Sequence, residues 1–177
     1  MTLETNKRLC GIGSLFIAIG FLIPFIGLVG IILLLVGLKG LSDDYNSPKI
    51  FQNALYGFIF GLIGIVILSI TFITIAFRII LYSRIMDRII IESSRIFNTN
   101  LILLILLFIV IFVLFLLKAI FYKKSFDIIA EKSGERIFNT IGILLIIGSI
   151  LSPILIGYIV LIAAWIIATI GFFSIKT

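Results

Sequence analysis

The chain has 177 residues, of which 62% are hydrophobic and only 12% are charged, whereas about 25% of the residues of an average soluble domain are charged. Fourteen Lys and Arg against eight Asp and Glu give a formal net charge of +6. These proportions exclude an ordinary soluble protein and indicate a single membrane domain over residues 1–177, in which lipid is the main solvent.

The apolar runs are continuous rather than alternating, so they predict membrane helices rather than the strands of a barrel. The basic residues flank these runs and do not gather in one cluster, which favours positive-inside flanks over nucleic-acid binding. Histidine is absent and Cys10 is the single cysteine. The chain therefore offers no intramolecular disulfide and no thiolate metal cluster of its own, and no cofactor is predicted.

The first apolar tract covers residues 9–41 and is too long for one ordinary span of about 20 residues. Pro24 lies near its middle and predicts a turn there, because proline lacks the amide donor and clashes with the preceding helical turn. A helical hairpin of this kind would have arms of about 22 Å, shorter than a hydrocarbon core of about 30 Å. Such arms thin the bilayer, lie sheltered by longer neighbours, or form a re-entrant pair.

Glycines at regular spacing predict helix-packing faces. Small residues let two backbones approach closely, which is the usual means of helix association in lipid. For the glycines of the next predicted helix, at residues 51–77, contact with a ligand is the alternative interpretation. The predicted packing residues are Gly13, Gly20 and Gly27 in the first tract and Gly57, Gly61 and Gly64 in the helix at residues 51–77.

Residues 41–48 separate these two segments and predict a polar turn, with Asp43, Asp44, Asn46 and Pro48 as turn formers. After the helix at residues 51–77, charged residues recur at three- and four-residue steps between isoleucines over residues 78–96. This pattern predicts an amphipathic helix at the membrane surface or as an extension of its neighbours. A helix that docks on a partner is the alternative.

Residues 100–122 form the clearest predicted membrane helix. Lys118 is expected to snorkel to the interface and Tyr122 to lie at the headgroup boundary. The following polar connection, residues 123–136, predicts a short helix that Ser125 caps and Gly134 ends.

The last tract, residues 137–175, contains no ionisable side chain and again exceeds a single span. Pro153 predicts the turn of a second helical hairpin, and Trp165, near the middle of the last span, is interpreted as a packing residue. The predicted fold is therefore an all-α bundle of about six membrane helices, made of two proline-turn hairpins and two long helices, with one amphipathic helix at the interface.

Three segments begin with a basic residue, isoleucine and phenylalanine, at residues 49–53, 95–99 and 136–140, which suggests internal duplication. The two hairpins would place ten basic residues on the side of both termini and four on the other side. The positive-inside rule then predicts a multi-pass protein of the cell membrane with both termini in the cytoplasm. The ten are Lys7, Arg8, Lys39, Lys49, Lys118, Lys123, Lys124, Lys132, Arg136 and Lys176, and the four are Arg78, Arg84, Arg88 and Arg95.

No carboxylate or basic side chain is predicted near the centre of a span, where proton- and ion-coupled transporters usually carry one. The polar groups at depth are hydroxyls, which are expected to bond back to their own helices, and the lining of a solute path is the alternative. No nucleophile with an adjacent base, phosphate loop or metal spacing is present, so an enzyme is not predicted. The hydroxyls belong to Ser14, Ser69, Thr71, Thr74, Ser149, Ser152 and Thr169.

Several short motifs resemble one family of archaeal and bacterial integral membrane proteins, grouped as domain of unknown function 996. The resemblance spans nearly the whole chain except residues 78–98, and it implies a polytopic archaeal membrane protein with no catalytic or binding residue to transfer. The motifs are Gly11-Ile12-Gly13, Leu38-Lys39-Gly40-Leu41, Ala54-Leu55-Tyr56-Gly57, Lys124-Ser125-Phe126, Ser133-Gly134 and Phe172-Phe173-Ser174-Ile175-Lys176.

Two functions follow as hypotheses. The first is a non-enzymatic membrane protein that acts through helix packing, as an accessory or assembly subunit or as a homo-oligomer. Its expected partners are the lipid bilayer and other membrane subunits or a second copy, without nucleic acid. The second is a small uncoupled transporter or channel for an uncharged or lipid-like solute.

Overall fold

A computed structural model describes residues 2–85 and 93–176, and within these ranges the chain forms six α-helices and no strand. The predicted all-α class is confirmed. The helices are α1 (Leu3–Gly20), α2 (Pro24–Asp44), α3 (Pro48–Ile85), α4 (Ser93–Ser133), α5 (Ile137–Ile150) and α6 (Ile156–Ser174).

Four helical segments are long and apolar enough to cross a membrane: Pro24–Asp44, Pro48–Phe77, Leu101–Ser133 and Ile156–Ser174. Helix α5 is equally apolar but has only 14 residues, and α1 carries Glu4, Lys7 and Arg8 near its beginning. The chain is therefore a membrane-embedded protein, as its composition predicts.

The six helices form a closed ring in chain order. Each helix packs on the one that follows it, and α6 packs on α1. Successive helices within the pairs α1–α2, α3–α4 and α5–α6 are antiparallel; in α3–α4, for example, Gly57 lies against Tyr122 and Gly64 against Phe115. The Lys7 ammonium donates to the Ile175 carbonyl at 2.8 Å, so both ends of the chain lie at the same end of the ring.

Two prolines lie near the helix breaks. Pro24 is the first residue of α2, where its fixed φ suits a helix start and its missing N–H is not needed. Pro153 lies three residues before the first residue of α6, in a turn where Ile154 N–H donates to the Leu151 carbonyl at 2.9 Å. The predicted duplication of the two halves stays a prediction.

Helix α4 continues through the stretch that the sequence analysis predicted as a polar connection. Every third or fourth side chain there faces inward, so the helix keeps one buried stripe through Phe126 and Ile129. Ser125 does not cap a new helix, because its hydroxyl donates to the Ile50 carbonyl of α3 at 2.8 Å. Gly134, with φ +77°, follows the end of α4, as predicted.

The predicted amphipathic helix at 78–96 lies partly outside the described residues, which exclude 86–92. Its residues 78–85 continue α3, and its residues 93–96 begin α4. The surface location of this segment stays a prediction.

Aromatic side chains fill the space between α4, α5 and α6. The ring centroids of Phe138 and Phe172 are 5.0 Å apart, and both lie 6.0 Å from Phe126. Trp165 is 3% exposed and meets Tyr122 edge-on at 5.7 Å, which confirms its packing role. Tyr122 is 3% exposed inside this cluster, because α4 turns it inward toward Trp165, and its position at the headgroup boundary stays a prediction.

Candidate functional site

Three of the predicted packing glycines join α1 to α2 through their backbones. A Cβ added to Gly20 would collide with the Cα of Gly27, and one added to Gly13 would lie 2.6 Å from the backbone nitrogen of Leu34. Backbone atoms cannot rotate away as a side chain can. The α1–α2 seam, formed by Gly13, Gly20, Gly27 and Gly30, therefore admits only glycine without a shift of one helix.

The other three predicted glycines join α3 to α4 through side chains. Added Cβ atoms would lie 2.9 Å from the Tyr122 ring at Gly57, 2.9 Å from Lys118 Cδ at Gly61 and 3.2 Å from the Phe115 ring at Gly64. Both sets of glycines thus pack helices of the same chain, within one pair each. The α3–α4 seam holds Gly57, Gly61 and Gly64.

The hydroxyls at depth mostly bond back to their own helices, as predicted. Each donates to a carbonyl three or four residues earlier, at 2.7–3.1 Å. These bonds satisfy the hydroxyls without a solute. They are made by Ser69, Thr71, Thr74, Ser152 and Thr169, whereas the buried Ser14 Oγ has no partner among the described residues.

Lys118 does not snorkel toward the polar end of the molecule. Its alkyl chain packs along Gly61, and its ammonium lies 5.9 Å from the ring centroid of Phe115, one turn back along α4. The cause is the direction of helical side chains, which lean toward the helix N-terminus. Within the described ranges no carboxylate pairs with this ammonium, so the ring face is its nearest favourable neighbour.

A cleft of about 430 Å³ lies at the end of the ring that carries both termini. It opens where α1, α2 and α3 meet, and its volume is within the range of small-molecule sites. We call it the terminal cleft. Its walls are formed by Asn6, Leu35, Val36, Lys39, Gly40, Asp43, Asp44 and Phe51.

Asn6 is the buried polar residue of the terminal cleft, with 1% of its surface exposed. Its Nδ2 donates to Asp44 Oδ2 at 2.7 Å, whereas its Oδ1 has no partner among the residues described. The carboxamide lies flat on Gly40, where an added Cβ would overlap it. Burying an amide oxygen without a donor costs about 1–3 kcal/mol, so this atom marks a place for a donor.

The charges around the terminal cleft are unequal. Lys39 donates to Asp43 at 2.6 Å and lies 6.0 Å from the ring centroid of Phe51. Asp44 accepts from Asn6 but pairs with no Lys or Arg in the described part of the chain. One cation and two carboxylates leave the cleft with a net charge of −1.

The sequence pattern predicts Asp43 and Asp44 as turn formers, whereas Asn6 is not among the predicted site residues. A signal was present, because Asn6 lies seven residues before Gly13 and fourteen before Gly20. Asn6 therefore occupies the same face of α1 as the packing glycines. Across the described ranges, no group of three His, Cys, Asp or Glu side chains could hold a metal ion.

Comparison with known proteins identifies relatives of unknown function. The family described as "Protein of unknown function (DUF996)" matches residues 26–166. An uncharacterized protein of Methanocaldococcus jannaschii, MJ1644, is 26% identical over 180 residues, a match that covers 99% of this chain and 94% of the relative. No solved structure matches the chain.

Proposed function

The chain belongs to the DUF996 family of proteins of unknown function, and we propose that it is a non-enzymatic membrane protein that acts through helix packing. It works as an accessory or assembly subunit or as a homo-oligomer. Its contact surface is the outer half of α3 and α4, the part that extends past the other four helices. We name this part the outer helix pair, residues 62–77 and 101–113.

The observation that carries this proposal is the exposure of the outer helix pair. In the most apolar stretch of α3 only 11% of residues are buried, and in that of α4 only 6%, against 33% in both α2 and α6. Phe72 on α3 is 73% exposed. The outer helix pair therefore has exposed apolar faces that no other described helix covers.

Helix lengths support a position of this surface inside the membrane. The stretch from Tyr56 to Phe77 rises about 32 Å, close to a hydrocarbon core of about 30 Å. Helix α5, with 14 residues, rises only about 21 Å. Helix α5 is therefore too short for a full crossing, whereas α2 and α6 are long enough for one.

Two features favour this function over transport of a solute. The aromatic cluster occupies the space between α4, α5 and α6, and the hydroxyls at depth bond to their own helices. The glycines are already engaged in contacts within the chain. A partner must therefore contact the bulky side chains of the outer helix pair, through van der Waals packing.

The test is the stoichiometry of the purified protein in lipid nanodiscs, measured by single-molecule photobleaching, together with co-purification from native membrane. Phe72→Ala should lower the fraction of assembled molecules about tenfold, because it removes a large side chain from the contact surface. Phe25→Ala is the matched control, since Phe25 is 81% exposed but lies on α2. A lone monomer without any partner in native membranes would refute the proposal.

The orientation in the membrane is part of the same proposal. Both termini lie at one end of the ring, which supports a common compartment for them, and the ten basic residues predicted for that side favour the cytoplasm. Tags at the two ends, probed in sealed vesicles of known sidedness, should both be protected or both be accessible. Tags that respond from opposite sides would contradict it.

A further inference from the structure

We propose that the terminal cleft binds the headgroup of a zwitterionic lipid through its primary ammonium group. This inference does not depend on the proposed assembly function, since the terminal cleft and the outer helix pair lie at opposite ends of α3. The ammonium would lie between Asp44 and Asn6, and the phosphate beside Lys39.

Two oxygen-bearing groups of the terminal cleft, on Asn6 and Asp44, have no cationic partner among the described residues. Asn6 Oδ1 is a buried acceptor without a donor, and the Asp44 carboxylate has no basic partner among the described residues. A primary ammonium carries three N–H donors and a positive charge, so it can satisfy both oxygens at once. A hydroxyl could donate to either oxygen but would leave the negative charge without a counter-charge.

The phosphate has a place one turn away on the same helix. Lys39 lies four residues before Asp43 and holds that carboxylate at 2.6 Å on the exposed side of the cleft. Its ammonium has three donors, so one bond to Asp43 leaves two for phosphate oxygens. The sequence of charges along α2, positive at Lys39 and negative at Asp44, is complementary to a headgroup that carries phosphate and ammonium a few bonds apart.

The apolar wall indicates a lipid rather than a free amine. Leu35 and Val36 lie about two turns along α2 from Asp44, on the side of the membrane interior, and Phe51 of α3 faces them across the cleft. Carboxylates at one end and aliphatic side chains at the other match the polarity of a lipid that enters from the bilayer. A soluble amine would leave the apolar end unfilled.

The experiment measures lipid binding to the delipidated full-length protein by native mass spectrometry. Three short-chain lipids with identical acyl chains differ only in their headgroups. The ethanolamine lipid has a primary ammonium, the choline lipid has a cation without N–H donors, and the glycerol lipid has hydroxyl donors without a cation. We expect the ethanolamine lipid to bind about tenfold more tightly than either of the others.

Two variants and one control locate the site. Asp44→Asn should weaken ethanolamine-lipid binding about tenfold, to the level of the choline lipid, whereas Asp127→Asn should leave it unchanged. Asp127 is a matched control because it pairs with Lys123 on α4, away from the cleft. Val36→Trp should fill the cleft and weaken all three lipids; Val36 is exposed, so the fold should tolerate the change.

Three results would overturn the proposal. Equal affinity for the ethanolamine and choline lipids would show that the cleft does not recognise the N–H donors of the ammonium. An equal loss in Asp127→Asn would show that only surface charge matters. Binding of free ethanolamine as tight as that of the lipid would remove the role of the apolar wall.

Discussion

The α1–α2 and α3–α4 seams both use regularly spaced glycines, yet they are built differently. In α1–α2 the space left by each glycine is occupied by the backbone of the other helix, as between Gly20 and Gly27. In α3–α4 that space is occupied by side chains such as those of Lys118 and Phe115. Glycine spacing thus identifies a packing face but not how strictly the face requires glycine, because rotamers can adjust and backbones cannot.

The largest effect is expected at Gly20. Gly20→Ala would press a methyl group against the Gly27 backbone and force α1 and α2 apart, which should destabilise the protein by about 3 kcal/mol. Unfolding in detergent can be followed by the fluorescence of Trp165, the single tryptophan, which is buried in the aromatic cluster. An unchanged midpoint would show that this seam is looser than its geometry indicates.

A gain in stability is expected at Lys118, whose ammonium lies in the α3–α4 seam and pairs with no carboxylate of residues 2–85 and 93–176. Lys118→Met keeps the length of the side chain along Gly61 and removes the charge from apolar surroundings. The free energy of unfolding should rise by about 1.5 kcal/mol, less than the cost of a charge at the bilayer centre. Lys124→Met is the control, because Lys124 lies over the Phe121 ring at the polar end of α4. Equal effects of the two variants would contradict the assigned position of Lys118.

A smaller loss is expected at Gly57. Gly57→Ala meets the ring of Tyr122, which packs edge-on against Trp165 and has little room to move. The loss should be about 1 kcal/mol after the better helix propensity of alanine is included. The double variant with Tyr122→Leu should recover part of it if the ring is the cause, and thermal unfolding of all three variants measures this coupling.

The smallest effect is expected at Gly64, where the nearest atom to an added Cβ is 3.2 Å away on the Phe115 ring. Gly64→Ala should change the free energy of unfolding by about 0.5 kcal/mol or less, because a small ring rotation relieves the contact and alanine favours the helix. If Gly64→Ala destabilised the protein as much as Gly20→Ala, the two seams would not differ as described. The same fluorescence measurement compares them directly.

Three residues of α4 make contacts that the local sequence pattern does not predict. Tyr122 and Lys118 lie near the end of an apolar run, which predicts an interface position. The Tyr122 ring packs inside the protein against Trp165 of α6, and the Lys118 alkyl chain packs along Gly61 of α3. Serine is a residue type that often caps helices, but the Ser125 hydroxyl instead donates to the Ile50 carbonyl of α3. For Tyr122 and Ser125 a contact with another helix outweighed the local pattern, and for Lys118 the lean of the side chain along its own helix did so.

The sequence alone determined that the protein folds in lipid and that it is helical, and it indicated packing glycines in the first tract and in residues 51–77. Those properties depend on composition and on the period of 3.6 residues, both of which are local. Only the tertiary structure decided which glycines meet backbone and which meet side chains. It also placed Asn6 beside Asp44, 38 residues along the chain. Such contacts depend on which helices become neighbours in the ring. The sequence pattern of one helix does not identify the helix against which its face packs.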